Sequence, residues 1–331
     1  MRALLLLVVV LTACTTERNV ATSPTPSPTA SATATPTQTP TSSPTASPSP
    51  ITLPSFAQLS APSGTVVWAL VAGTRLFRSS DRGDTWVERS FPTGLANPEI
   101  AFADGTNGLL LNPGSPATQC QTQTVAIWKT ADGPASWQQI TATGIADGMC
   151  KSGLASADAT HALLAAWSPN AAPLIYRTAD GGQTWKASTA LPDPPGFTTQ
   201  AGTALRPGRP RAFASIVLVD AVGGAQRYVF RSADSGATFA YVSTVPGSEG
   251  AVAYVTATRW LLIAPPSSSM ETTDGGASWH AYTTDYSQAA PVTPDIVFGD
   301  ANVGYATVRG SIQRTTDGGA HWTTIKTPGT G

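Results

Sequence analysis

Carboxylates, tyrosines and arginines are the side chains here that could act on a glycosidic bond, and they are scarce: the 331 residues hold five glutamates, seven tyrosines and three histidines. Glycoside hydrolysis needs two carboxyl groups facing each other across a cleft, and a tyrosine nucleophile needs an activating base beside it. Glu17 falls in a low-complexity stretch, Glu88 and Glu271 fall in expected strands, and Glu99 and Glu249 fall in expected loops. Tyr254 and Glu249 are close enough in sequence to pair, but the spacing equally fits two surface residues. Asp147, Asp193, Asp285 and Asp295 belong to no repeated pattern. They constrain too little to define a catalytic pair, so no catalytic residue is assigned. His161, His280 and His321 are widely separated and the last two adjoin tryptophans, so neither metal site nor cofactor is expected. No glycine-rich phosphate loop stands between a strand and a helix. A formal net charge of -1 lacks the electrostatic footprint that nucleic-acid binding requires.

Most of the remaining aspartates have a different duty. One eight-residue phrase, Ser/Thr-x-Asp-x-Gly-x-Thr/Ser-Trp, occurs in six variants beginning at Ser79, Thr130, Thr178, Ser232, Thr272 and Thr315. It places Asp81, Asp132, Asp180, Asp234, Asp274 and Asp317 in register, at spacings of 51, 48, 54, 40 and 43 residues. That is the period of a four-stranded propeller blade. Between the copies run short β-rich segments punctuated by Gly, Asp and Pro, without helical periodicity. In the last unit the strands are expected at 295–298, 303–308, 311–315 and 321–326; in the first, at 57–60, 65–71, 74–79 and 85–90. The phrase then forms the turn between third and fourth strands, with Asp accepting backbone N–H groups one or two residues on and Gly supplying the positive φ. Trp86, Trp137, Trp185, Phe239, Trp279 and Trp322 follow it as large buried anchors. Pro134 replaces Gly in the second copy, which predicts a reshaped turn. The fold class is all-β, a propeller of four-stranded antiparallel blades, six in number with seven as the alternative. Asp104, Asp158 and Asp300 recur in the turn between first and second strands. Trp68, Trp167 and Trp260 lie in second strands, where burial between blades is expected.

These phrases resemble the Asp-box, or bacterial neuraminidase repeat, and the resemblance covers nearly all of 55–331. Proteins similar in this way include sialidases, some endoglucanases, the sortilin ectodomain and photosystem II assembly factors. The resemblance implies a box that is a structural turn, and a fold that leaves function open. A sialidase would need three arginines gripping a carboxylate, a Tyr with a Glu, and an Asp acid/base. Arg78, Arg177, Arg231 and Arg314 belong to the repeat register, and the Phe/Tyr-Arg-Ile-Pro motif of many sialidases is absent. Photosystem assembly factors are known for an arginine patch that meets a membrane partner. The matching feature is the cluster Arg206, Arg209 and Arg211, expected at the first turn of blade four on the face carrying the boxes and taken as the candidate partner-binding site.

The ends suggest an address. An apolar run from Ala3 to Val10 leads to Leu11-Thr12-Ala13-Cys14, the form of a bacterial lipobox. Residues 1–14 are expected to be a lipoprotein signal, with Cys14 as the lipid attachment. Residues 15–54 are Ser/Thr/Pro-rich and form no core, a tether of about 40 residues that reaches on the order of 100 Å. Cys120 and Cys150 then remain in an exported chain, which favours a disulfide. The expectation is a monomeric, lipid-anchored extracytoplasmic module at a bacterial cell surface or periplasm. It would bind an envelope protein or glycan without catalysis; the alternative is an exo-sialidase or other glycoside hydrolase.

Overall fold

The computed structural model describes residues 57–115, 120–247, 249–264, 268–287, 294–308 and 311–325. The expected signal segment with Cys14 and the expected tether lie outside the described residues. Six antiparallel sheets, each built from one contiguous stretch of chain, make a six-bladed propeller. Blade one is β1 (Ala57–Ser60), β2 (Val67–Val71), β3 (Arg75–Ser79) and β4 (Val87–Arg89). Blade two is β5 (Glu99–Phe102), β6 (Gly108–Asn112), β7 (Ala126–Thr130) and β8 (Gln138–Ile140). Blade three is β9 (Cys150–Ser156), β10 (Ala162–Ser168), β11 (Ala171–Thr178) and β12 (Lys186–Ala187). Blade four holds β13 (Arg206–Pro207), β14 (Arg211–Phe213), β15 (Ile216–Gly223), β16 (Gln226–Ser232) and β17 (Ala240–Thr244). Blade five is β18 (Ala251–Tyr254), β19 (Trp260–Ile263), β20 (Met270–Thr272) and β21 (His280–Ala281). Blade six is β22 (Ile296–Phe298), β23 (Gly304–Val308), β24 (Ser311–Thr315) and β25 (Thr323–Ile325).

The core is divided among the junctions. Six clusters of buried apolar side chains each span two neighbouring blades, one for every junction of the ring. Closure is therefore apolar: Leu59, Val67, Phe77 and Trp86 of blade one pack with Tyr305 and Ile312 of blade six. At the next junction Trp68 lies flat on Phe102, ring centroids 3.8 Å apart. Trp68 and Trp260 are fully buried, whereas Trp167 is only half-buried.

The boxes share one hydrogen-bond scheme. In all six the opening Ser or Thr hydroxyl donates to the Asp at 2.6–2.8 Å. The same Asp accepts the backbone N–H four residues on, at 2.9–3.1 Å. This reach is longer than the one or two residues expected, because the carboxylate spans the whole loop rather than its first corner. In five copies the second turn residue N–H donates back to the Ser/Thr hydroxyl. Pro134 has no N–H to offer, and in that blade Trp137 turns away to donate to Ser90 O at 2.9 Å in blade one. Each aromatic stands one residue before its outer strand.

Candidate functional site

Strands alternate in direction, so the boxes share one face of the ring with the turns between first and second strands. The opposite face carries the turns between second and third strands and the connections between blades. The innermost strands line a central channel. A strand at such an edge presents backbone N–H groups with no ladder partner, and here side chains of the preceding blade supply the acceptors. Asp295 Oδ2 accepts from Leu59 N at 2.7 Å, Gln58 Oε1 from Ile100 N at 2.6 Å, and Glu99 Oε2 from Leu154 N at 2.9 Å. Each acceptor immediately precedes a residue in the corresponding place: Gln58 before the capped Leu59, and Glu99 before the capped Ile100. The next such position is Gly153, before the capped Leu154. There the pattern stops, and a Cβ on Gly153, at φ +72, would stand 2.9 Å from the Arg209 Cα.

Glu99 is thus not a loop residue but the first residue of an inner strand. Burial pushes its carboxyl above the usual range, opposed by the Leu154 N–H and the Arg209 charge and reinforced by Asp295. Asp295 stands just before β22 and pairs with Arg209, whose Nη1 is 3.4 Å from Asp295 Oδ1 and 3.1 Å from Leu59 O.

The arginine cluster is not where its prolines suggest. Arg206 belongs to β13 and Arg211 to β14, both paired with β15 as the two halves of blade four's inner strand. Pro207 and Pro210 interrupt the ladder, and the Gly208 N–H closes the gap by donating to Asp220 O at 2.8 Å. The three arginines therefore lie along blade four's inner strand instead of occupying a turn on the box face, and Arg209 and Arg211 line the channel. Arg206 is exposed at the face opposite the boxes, its guanidinium 4.4 Å from the centre of the Trp167 ring and its backbone paired with exposed Val222. Arg209 crosses the channel to blades one and six. Arg211 Nη2 donates to Phe298 O in blade six.

Arg209 and Asp295 separate two chambers. Toward the face opposite the boxes lies a cavity of about 510 Å³, lined among others by Gln58, Glu99, Arg209 and Asp295. Toward the box face lies one of about 230 Å³, lined among others by Arg209, Arg211, Asp220, Arg227 and Tyr254. Burial raises Asp220 and Arg227 opposes it. Burial also raises the Tyr254 hydroxyl, which Asp220 reinforces and Arg227 counters. The charged neighbours of Tyr254 are therefore these two, and Glu249 is not among them. No motif marked Asp220 or Arg227; only the pairing of β15 with β16 brings them together.

Cys120, in the loop after β6, and Cys150, the first residue of β9, form a disulfide with Cα atoms 4.8 Å apart. Lys151, beside it, is buried with its ammonium on Gln123 O at 2.7 Å. Each histidine faces one carboxylate of its own blade: His161 Asp158, His280 Glu271 and His321 Asp317. Among the described residues no three His, Cys, Asp or Glu side chains gather as a metal site.

No family model matches the chain, and no curated protein matches it. Solved structures do. YCF48 from Cyanidioschyzon merolae is 15% identical over 82% of this chain and 86% of that one, with a TM-score of 0.50. A mutant of the alpha-L-arabinofuranosidase Arb93A from Fusarium graminearum, in complex with an iminosugar inhibitor, is 13% identical over 81% of this chain and 92% of that one, TM-score 0.51. The GH74 enzyme of Niastella koreensis is 14% identical over 80% of this chain, TM-score 0.48, and the match spans 46% of that enzyme's length. At these identities the likeness is one of fold: the chain is a β-propeller of a shape also found in YCF48 and in the arabinofuranosidase.

Proposed function

We propose that the chain is a lipid-anchored, extracytoplasmic propeller that binds an envelope protein or glycan through the face opposite the boxes, without chemical turnover. Cys14 carries the lipid, the segment 15–54 holds the ring away from the membrane, and the ring acts as a monomer. The observation that carries the non-catalytic part is the capping ladder. Glu99 and Asp295, the two carboxylates that share one chamber of the channel, each commit an oxygen to a neighbouring blade's backbone N–H. The binding surface is assigned to Arg206 with Trp167, a cation resting on an aromatic ring beside exposed Val222. Quantitative capture from cross-linked native membranes by the intact lipoprotein tests this, with Arg206→Ala and Trp167→Ala combined. The reading expects one partner recovered by the wild type and lost from the double variant. Equal recovery by both would remove this surface from consideration.

A second reading has its own observation. Glu99 and Asp295 line one cavity, and burial favours the protonated form of Glu99, as a general acid requires. Glycosidase activity abolished by Glu99→Gln and by Asp295→Asn would establish that reading in place of the first.

A further inference from the structure

The chamber on the box side of the channel has an imbalance of charge. Arg209 is paired with Asp295 at 3.4 Å, and Arg227 faces Asp220 at 3.6 Å. Arg211 has no carboxylate among the described residues. Its hydrogen bond goes to the neutral Phe298 carbonyl, and the charged group that acts on it is Arg209, of the same sign. Three guanidinium groups thus line a chamber with two carboxylates, one of which, Asp220, is pushed by burial toward its neutral form.

Buried charges without a partner are costly, and proteins pair them or neutralise them. The donors are also incompletely used. The Nε atoms of Arg209 and Arg211 and the Tyr254 hydroxyl are buried without a hydrogen-bond partner, while Arg227 Nε faces Asp220 Oδ2 at 3.6 Å. Each guanidinium has one Nη engaged with a backbone carbonyl: Arg209 with Leu59, Arg211 with Phe298 and Arg227 with Gly250. The other Nη of each makes no hydrogen bond to a described residue. A planar guanidinium matches the geometry of an oxyanion, and about 230 Å³ admits such a group with several waters.

We propose that this chamber is a binding site for one oxyanion group, a carboxylate, sulfate or phosphate, held by Arg211 with Arg209, Arg227 and the Tyr254 hydroxyl. The anion restores the missing counter-charge and bridges blades four and five at the channel. It enters from the box face, so the site is separate from the Arg206–Trp167 surface and stands whether or not that surface binds a partner.

Calorimetric titration and thermal melting of the full-length protein with sulfate, phosphate and acetate, against chloride at matched ionic strength, provide the test. The expected result is saturable binding of one oxyanion per chain with a rise in melting temperature. Arg211→Met should weaken that binding about tenfold or more, the loss of a charge-assisted contact. It should also leave the melting temperature in oxyanion-free buffer no lower than that of the wild type, because it removes an unpaired charge. A purely structural Arg211 would instead give a lower melting temperature under every condition and no saturable binding by the wild type. Should Arg211→Met fail to fold, Tyr254→Phe and Arg227→Met carry the same test, each expected to weaken binding. Titration with glucuronate and glucose 6-phosphate separates the sources: tighter binding than the free ions assigns the anionic group to a glycan, and equal binding assigns a free ion. Absence of saturable binding for every anion, or wild-type affinity in Arg211→Met, overturns the proposal.

Discussion

Asp180 accepts hydrogen bonds from the hydroxyls of Thr178 and Thr184 and from the N–H groups of Gln183 and Thr184, so one carboxylate closes a whole turn. Asp180→Ala should cost about 2 to 3 kcal/mol, as expected when several donors to a charged acceptor are orphaned, measured by urea unfolding. The same bonds fix a pH dependence. The Ser278 hydroxyl and N–H hold Asp274 at about 2, and Asp180 is held at about 2 although burial alone would raise it. A carboxylate lowered in the folded state stabilises the fold above its unfolded pKa and loses that contribution as pH falls through the folded value. The contribution of these two aspartates should therefore be complete above about pH 4 and decline toward pH 2. A urea midpoint unchanged across that range would contradict the scheme. These aspartates were legible because their phrase repeats. Glu99 and Asp295 were not, because the capping position is occupied in turn by Asp, Gln, Glu and Gly, and the capped N–H lies up to 236 residues away.

Blade four shows what a local pattern conceals. Arg-Pro-Gly-Arg-Pro-Arg reads as a turn because proline removes ladder donors, yet the segment is an inner strand with a break that β15 bridges. The structure requires a neighbour that yields space, and Gly153 of β9 provides it at φ +72. Gly153→Ala should destabilise the protein by about 1 to 3 kcal/mol, through positive φ and collision with the Arg209 backbone. Its effect should exceed that of Gly224→Ala, another positive-φ glycine with open space around the added carbon. Equal losses for the two would show that the close approach of blades three and four contributes nothing. The back-donated N–H that the second box lacks was readable from Pro134 alone. The longer carboxylate reach was not, since it depends on where the loop's return strand places its N–H.

The ring as a whole was readable because every blade is one contiguous segment ending in its own outer strand, so counting boxes counted blades. Which charged groups meet in the centre was not readable, since they come from segments far apart in the chain. The Cys120–Cys150 bond ties the loop after β6 to the inner strand of blade three across a separation of 30 residues. Replacing both cysteines by serine should lower stability by roughly 3 to 4 kcal/mol in the chain-entropy picture, read from urea midpoints. The proposed function divides the molecule by face: boxes on one side, and the proposed surface of Arg206, Trp167 and Val222 on the other. The measurement that tests this most directly places a photo-activated cross-linking amino acid in the full-length protein, first at exposed Val222 and separately at exposed Ala179 in the third box. The account predicts a partner adduct from Val222 and none from Ala179. An adduct confined to Ala179 would contradict it.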